Sequence, residues 1–84
     1  MNNTTKQRTW IEYWVAIRDE EGDMRDESGA EGDFLYMGNS KVAAIKVARA
    51  TVAPEGCTVE IERVTNCGND IDGILERKYA DIAF

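Results

Sequence analysis

The sequence predicts an α+β fold: a small, mainly antiparallel sheet of three strands, or four if the last segment is extended, with one helix packed across a face and a C-terminal helix. Three observations lead there. Thr9 to Arg18 and Cys57 to Val64 alternate apolar and polar residues with the period of a half-buried strand. Between them, Lys41 to Val52 repeats its apolar residues at helical spacing. Finally, 84 residues, 43% of them hydrophobic and 31% charged, suffice for one small core and leave no room for a second domain.

The first eight residues are polar and read as a disordered tail, which leaves 9–84 as a single compact domain. In the first strand, TWIEYWVAIR, aromatic and β-branched residues suit a pleated surface. Ile11, Tyr13, Val15 and Ile17 fall on the core face, and Trp10, Glu12, Trp14, Ala16 and Arg18 on the other. The next segment contains Gly22, Gly29 and Gly32 and reads as a loop or hairpin tip. A tight turn at Glu20, Glu21 and Gly22, with Gly22 left-handed, would pair Asp23 to Asp26 back onto the first strand. Phe34 to Met37 reads as a short second strand.

Asn39 or Ser40 is a suitable N-cap for a helix over Lys41 to Val52, stopped by Pro54 and Gly56. Its apolar face comprises Ala44, Ile45, Val47, Ala48, Thr51 and Val52, with Lys41, Lys46 and Arg49 opposite, and the small alanines allow a close approach to a sheet. Cys57 to Val64 is the clearest strand, with Cys57, Val59 and Ile61 inward. Asn66 to Asp70 (NCGND) reads as a turn. Ile71, Ile74, Leu75, Tyr79 and Ile82 then recur at helical spacing, which suggests a terminal helix capped by Asp70. Gly73 weakens a helix there, and a last strand through Glu76 to Asp81 is the alternative. No internal repeat or linker appears.

Charge is the most informative functional feature. The chain's −6 is the sum of +1 elsewhere and −7 in the fifteen residues Asp19 to Asp33, where eight carboxylates (Asp19, Glu20, Glu21, Asp23, Asp26, Glu27, Glu31 and Asp33) face one cation, Arg25. Acidity this local can be a recognition surface for something basic, whereas dispersed acidity mainly serves solubility. Trp10 and Trp14 are the second feature. Two indoles on the face away from the core form either an interaction surface or a second small core covered by the rest of the chain.

Several chemistries are disfavoured. An EF-hand loop beginning at Asp19 would need glycine at its sixth position and glutamate at its twelfth, where Met24 and Ala30 stand. With no histidine and no nucleophile motif, a catalytic site has little to be built from, and the chain reads as a non-enzyme with no cofactor. The run's glycines are set among acids that would repel phosphate. Direct nucleic-acid binding is opposed by the overall field, and Lys41, Lys46, Arg49 and Arg63 read as a solvated face or as partners of the acidic loop. Cys57 and Cys67, at opposite ends of a strand, read as free thiols, since about eight residues at about 3.3 Å each hold them too far apart for a disulfide. No apolar run approaches the roughly 20 residues of a membrane span, and the polar start lacks a secretion signal, so a cytoplasmic protein is expected.

Two function classes follow. In its local acidity (Asp19 to Asp33), its compact strand-helix-strand unit (Phe34 to Val64) and its lack of a reactive site, the chain resembles small phage-encoded inhibitors of bacterial defence systems, anti-CRISPR proteins among them. The resemblance covers the whole chain in general form and assigns no residue a role. It implies a non-catalytic inhibitor in the cytoplasm of a bacterial host cell, docking on a basic surface of a larger, nucleic-acid-binding protein, while the charge and aromatic pattern of the chain itself points to the eight acids with Trp10 and Trp14 as the docking surface. The alternative is a structural or assembly protein, a homodimer or small subunit, using the two tryptophans and the edge of the second strand.

Overall fold

The computed structural model describes residues 7–69 and 73–84. In chain order these form β1 (Gln7–Arg18), β2 (Met24–Arg25), β3 (Tyr36–Gly38), α1 (Lys41–Ala50), β4 (Thr58–Asn69) and β5 (Gly73–Ile82). All strands belong to one antiparallel sheet, curled into a half-barrel. β1 is its spine. On one side β1 pairs with β4 along its full length, from Gln7 opposite Asn69 to Arg18 opposite Thr58. On the other side it pairs with β2 near its end and with β3 at Tyr13 to Val15. β5 lies outside β4 and has no further neighbour among the described residues.

The described residues therefore form a five-stranded sheet with a single short helix, which corrects the expected α+β fold with a C-terminal helix. The segment expected to be that helix is β5. Its apolar spacing misleads because successive apolar residues serve opposite faces. Tyr79 lies opposite Val64 on one face and Ile82 opposite Ile61 on the other, three residues apart. A bulge against Cys67 and Gly68 inserts Leu75 as an extra residue between Ile74 and Glu76, breaking the alternation again. The expected cap Asp70, with Ile71, lies outside the described residues. The clearest strand also runs further than its alternation suggests, since Asn66 to Asn69 continue β4 rather than turning. Gln7 and Arg8 belong to β1, and the rest of the expected tail, 1–6, lies outside the described residues.

The main core is on the helix side. Val15, Ala44, Ala48 and Ile61 are at most 2% exposed, and Tyr13, Tyr36, Ile45, Val47, Val59 and Ile82 pack around them. The two alanines let α1 sit close over the β1–β4 pair. Ser40 caps the helix, its hydroxyl accepting the Ala43 amide at 3.1 Å. The helix ends at Ala50, where the Thr51 hydroxyl donates to the Val47 carbonyl at 2.7 Å, leaving Val52 exposed. Because β3 and β4 are both antiparallel to β1, they run parallel to each other, with α1 as the crossover between them. Among the described residues no helix is long and apolar enough to cross a membrane.

Candidate interaction surface

The acidic segment is built from one short motif used twice. Asp-Glu-x-Gly occurs at 19–22 and again at 26–29, and each copy closes a tight turn. In the first, Asp19 Oδ1 accepts the amides of Glu21 and Asp23, each at 3.0 Å. The Gly22 amide donates to the Asp19 carbonyl, and the Asp19 amide to the Asp23 carbonyl, both at 3.0 Å. In the second, Asp26 Oδ1 accepts the Ser28 amide at 2.8 Å, the Ser28 hydroxyl at 2.6 Å and the Ala30 amide at 3.0 Å. The Asp26 amide donates to the Ala30 carbonyl at 2.8 Å. The glycines are needed because φ is +88° at Gly22 and +91° at Gly29, a region that side chains disfavour.

These turns fold the segment back and forth along the edge of β1. Met24 and Arg25 pair with Arg18 and Ile17, as the left-handed Gly22 turn predicts. Arg25 then bridges to Glu31, and the Gly32 amide donates to the Met24 carbonyl at 3.2 Å. Arg25 also anchors the first turn, its Nε donating to Asp19 Oδ2 at 2.9 Å. That guanidinium, helped by the Asp23 and Glu21 amides, holds the Asp19 carboxyl below its usual pKa. The Ser28 hydroxyl and amide do the same for Asp26. Asp19 and Asp26 are thus turned inward, whereas Glu20, Glu21, Asp23, Glu27, Glu31 and Asp33 are exposed. An open groove of 460 Å³ separates the first turn from Glu55 and Gly56, adding another carboxylate beside Glu20 and Glu21.

The two tryptophans lie on the face opposite the helix, as their alternation predicts, and Trp14 packs against Phe34, the residue that follows Asp33. Trp14 is only 8% exposed, with Phe34 and Tyr79 edge-on at ring separations of 5.2 and 5.9 Å and the Arg77 guanidinium 5.2 Å above it. Trp10 is half-buried beneath Arg8, 4.9 Å away. Nine residue steps separate Trp10 from Asp19, about 30 Å at about 3.3 Å per step along an extended strand. Between the indoles, Glu12 accepts both: Trp10 Nε1 donates to Oε2 and Trp14 Nε1 to Oε1, each at 2.9 Å. These bonds, with Arg77 nearby, hold the Glu12 carboxyl below its usual pKa. Asn66, fully buried, donates to Glu12 at 3.4 Å and accepts from Arg77 Nε at 2.7 Å. This is a second, polar-aromatic core.

Glu12, Asn66, Arg77, Tyr79 and Phe34 escape a reading of single segments because the face forms only when β1, β4, β5 and the chain before β3 meet. The one local signal is Glu12 standing two residues from each tryptophan. The repeated Asp-Glu-x-Gly, at 19–22 and 26–29, is a local signal that a reading for longer internal repeats passes over. Within the acidic run Arg25 ion-pairs with Asp19, and elsewhere ion pairs join Arg18 to Glu60 and Glu62 and Lys78 to Glu76, among other contacts. The helix cations Lys41, Lys46 and Arg49 are exposed, and among the described residues they do not pair with the run. Among the described residues no group of acids and cysteines is arranged to hold a metal ion, and both cysteines are free thiols. Comparison with protein-family models, curated proteins and solved structures returns no match.

Proposed function

We propose that the protein is an acidic, non-catalytic binding module that inhibits a larger nucleic-acid-binding protein in the bacterial cytoplasm by occupying its basic surface, as the phage-encoded inhibitors it resembles do. The observation that carries this reading is the division of labour among the acids. Two, Asp19 and Asp26, close the turns, and six, Glu20, Glu21, Asp23, Glu27, Glu31 and Asp33, are exposed on them, Asp33 also accepting the Phe34 amide at 2.7 Å. Carboxylates on a backbone already closed by hydrogen bonds lose less conformational entropy on docking than carboxylates on a loose loop. Their summed field would speed encounter with an Arg- and Lys-rich surface and set the partner's sign of charge.

The test is capture from a nuclease-treated bacterial lysate by the wild-type protein and by a variant with those six acids changed to their amides, Asp19 and Asp26 being kept so that the turns stay closed. A nucleic-acid-binding protein retained by the wild type and absent from the variant supports the reading. Equal capture by both excludes it.

A further inference from the structure

We infer that β5 is a self-association edge, pairing antiparallel with β5 of a second copy about a two-fold axis through Tyr79. One edge of β5 is hydrogen-bonded to β4 and the other to no strand among the described residues, so its outward N–H and C=O groups form a template for another strand. α1 lies over β1, β3 and β4, and its backbone does not approach β5, so the helix leaves the edge open. Gly73 to Asp81 are all exposed, Tyr79 at 52%.

The occupant follows from symmetry and charge. A closed two-fold pairing of two identical edges keeps the same face uppermost in both copies, so the axis must pass through a residue and directly opposed residues share a face. The bulge confines the regular part of the strand to Glu76–Ile82. An axis on Glu76, Arg77, Lys78 or Asp81 would set a charge against itself, which is unfavourable across strands. An axis on Ala80 or Ile82 shortens the overlap and sets no opposite charge across the interface from Arg77. Tyr79 is the midpoint of the regular run. An axis there opposes Tyr79 to itself, Lys78 to Ala80, Glu76 to Ile82, and Arg77 to Asp81 twice over. That pairing also gives Asp81 the opposite charge it lacks in its own sheet, where it stands across from Glu62. The acidic turns lie beyond β1 on the far side of the sheet, so this association and the proposed inhibitory surface are independent.

Sedimentation equilibrium over a concentration series tests the inference. The wild type is expected to approach twice the 9.4 kDa chain mass, and Asp81→Lys, which sets a second cation opposite Arg77, to remain a monomer with an unchanged circular dichroism spectrum. A wild type that stays monomeric throughout, or a folded Asp81→Lys protein that dimerises as the wild type does, overturns it. Amide exchange of the wild type above and below the dissociation range gives a readout free of any variant. Protection gained with concentration along 76–82 supports the β5 edge, and protection gained instead at 24–25 and 36–38 overturns it.

Discussion

The indole nitrogen of Trp14 donates to Glu12 Oε1 at 2.9 Å, so that a carboxylate two residues away on the same strand fixes the ring that closes the helix-free face of the sheet. Because Trp10 binds the other oxygen, Glu12 has no neutral substitute with two equivalent acceptors. Glu12→Gln should destabilise the protein by about 1–2 kcal/mol at neutral pH, measured by urea unfolding. The Glu12 pKa is lowered in the folded state from an ordinary 4.5. Its contribution is therefore full above about pH 4.5 and disappears as pH falls through the lower, folded-state value. The gap between wild type and Glu12→Gln should close on acidification, and a gap independent of pH would refute the role of the charge.

The acidic turns should be sensitive to glycine in two different ways. At Gly29 an added Cβ meets open space, and only the positive φ resists it, so Gly29→Ala should cost about 1 kcal/mol. At Gly32 the same Cβ would collide with the backbone of Arg25 and Asp26, which cannot yield without opening the second turn. Amide exchange should show the Asp26 and Ala30 amides still protected in Gly29→Ala and exposed in Gly32→Ala.

Gly68 is buried where β4 meets the bulge, and a Cβ there would strike the Gly73 carbonyl and press on Ile74. Gly68→Ala should cost about 1–3 kcal/mol in thermal or urea unfolding, as overpacking of a fixed backbone does. The loss should appear first as faster amide exchange along β5.

Ala44 is fully buried between α1 and the sheet, against Val15 and Ile61. Ala44→Leu should lower stability by about 1–3 kcal/mol by forcing the helix outward, although leucine is itself a good helix former. Val42→Ala, on the exposed side of the same helix, should change stability by no more than about 0.5 kcal/mol.

What could be read from the sequence and what could not divide along physical lines. β1 and the first half of β4 were legible because Val15, Ile17 and Ile61 alternate against a single core, and α1 because Ser40 and the alanines act within one segment. β5 was not, since Tyr79 and Ile82 answer to two different faces and Leu75 sits in a bulge set by its partner strand. Asn66 looked like a turn residue and is instead buried, its amide satisfied by Glu12 and Arg77 from two other strands. At the candidate site the Gly22 turn was foreseeable from local chemistry. That Asp19 and Asp26 would be spent on closing turns, and that Trp14 would be covered by Phe34 and Tyr79, depended on geometry outside any one segment.

The central claim, that the displayed carboxylates occupy a nucleic-acid-binding surface, is tested most directly by competition. A partner captured by the protein is bound to labelled duplex DNA and titrated with the wild-type protein and with the six-amide variant, at low and at raised salt. The account predicts that the wild type displaces the DNA, less effectively as salt rises, and that the variant does not. A ternary complex in which partner, DNA and wild-type protein coexist, or equal displacement by the variant, would contradict it.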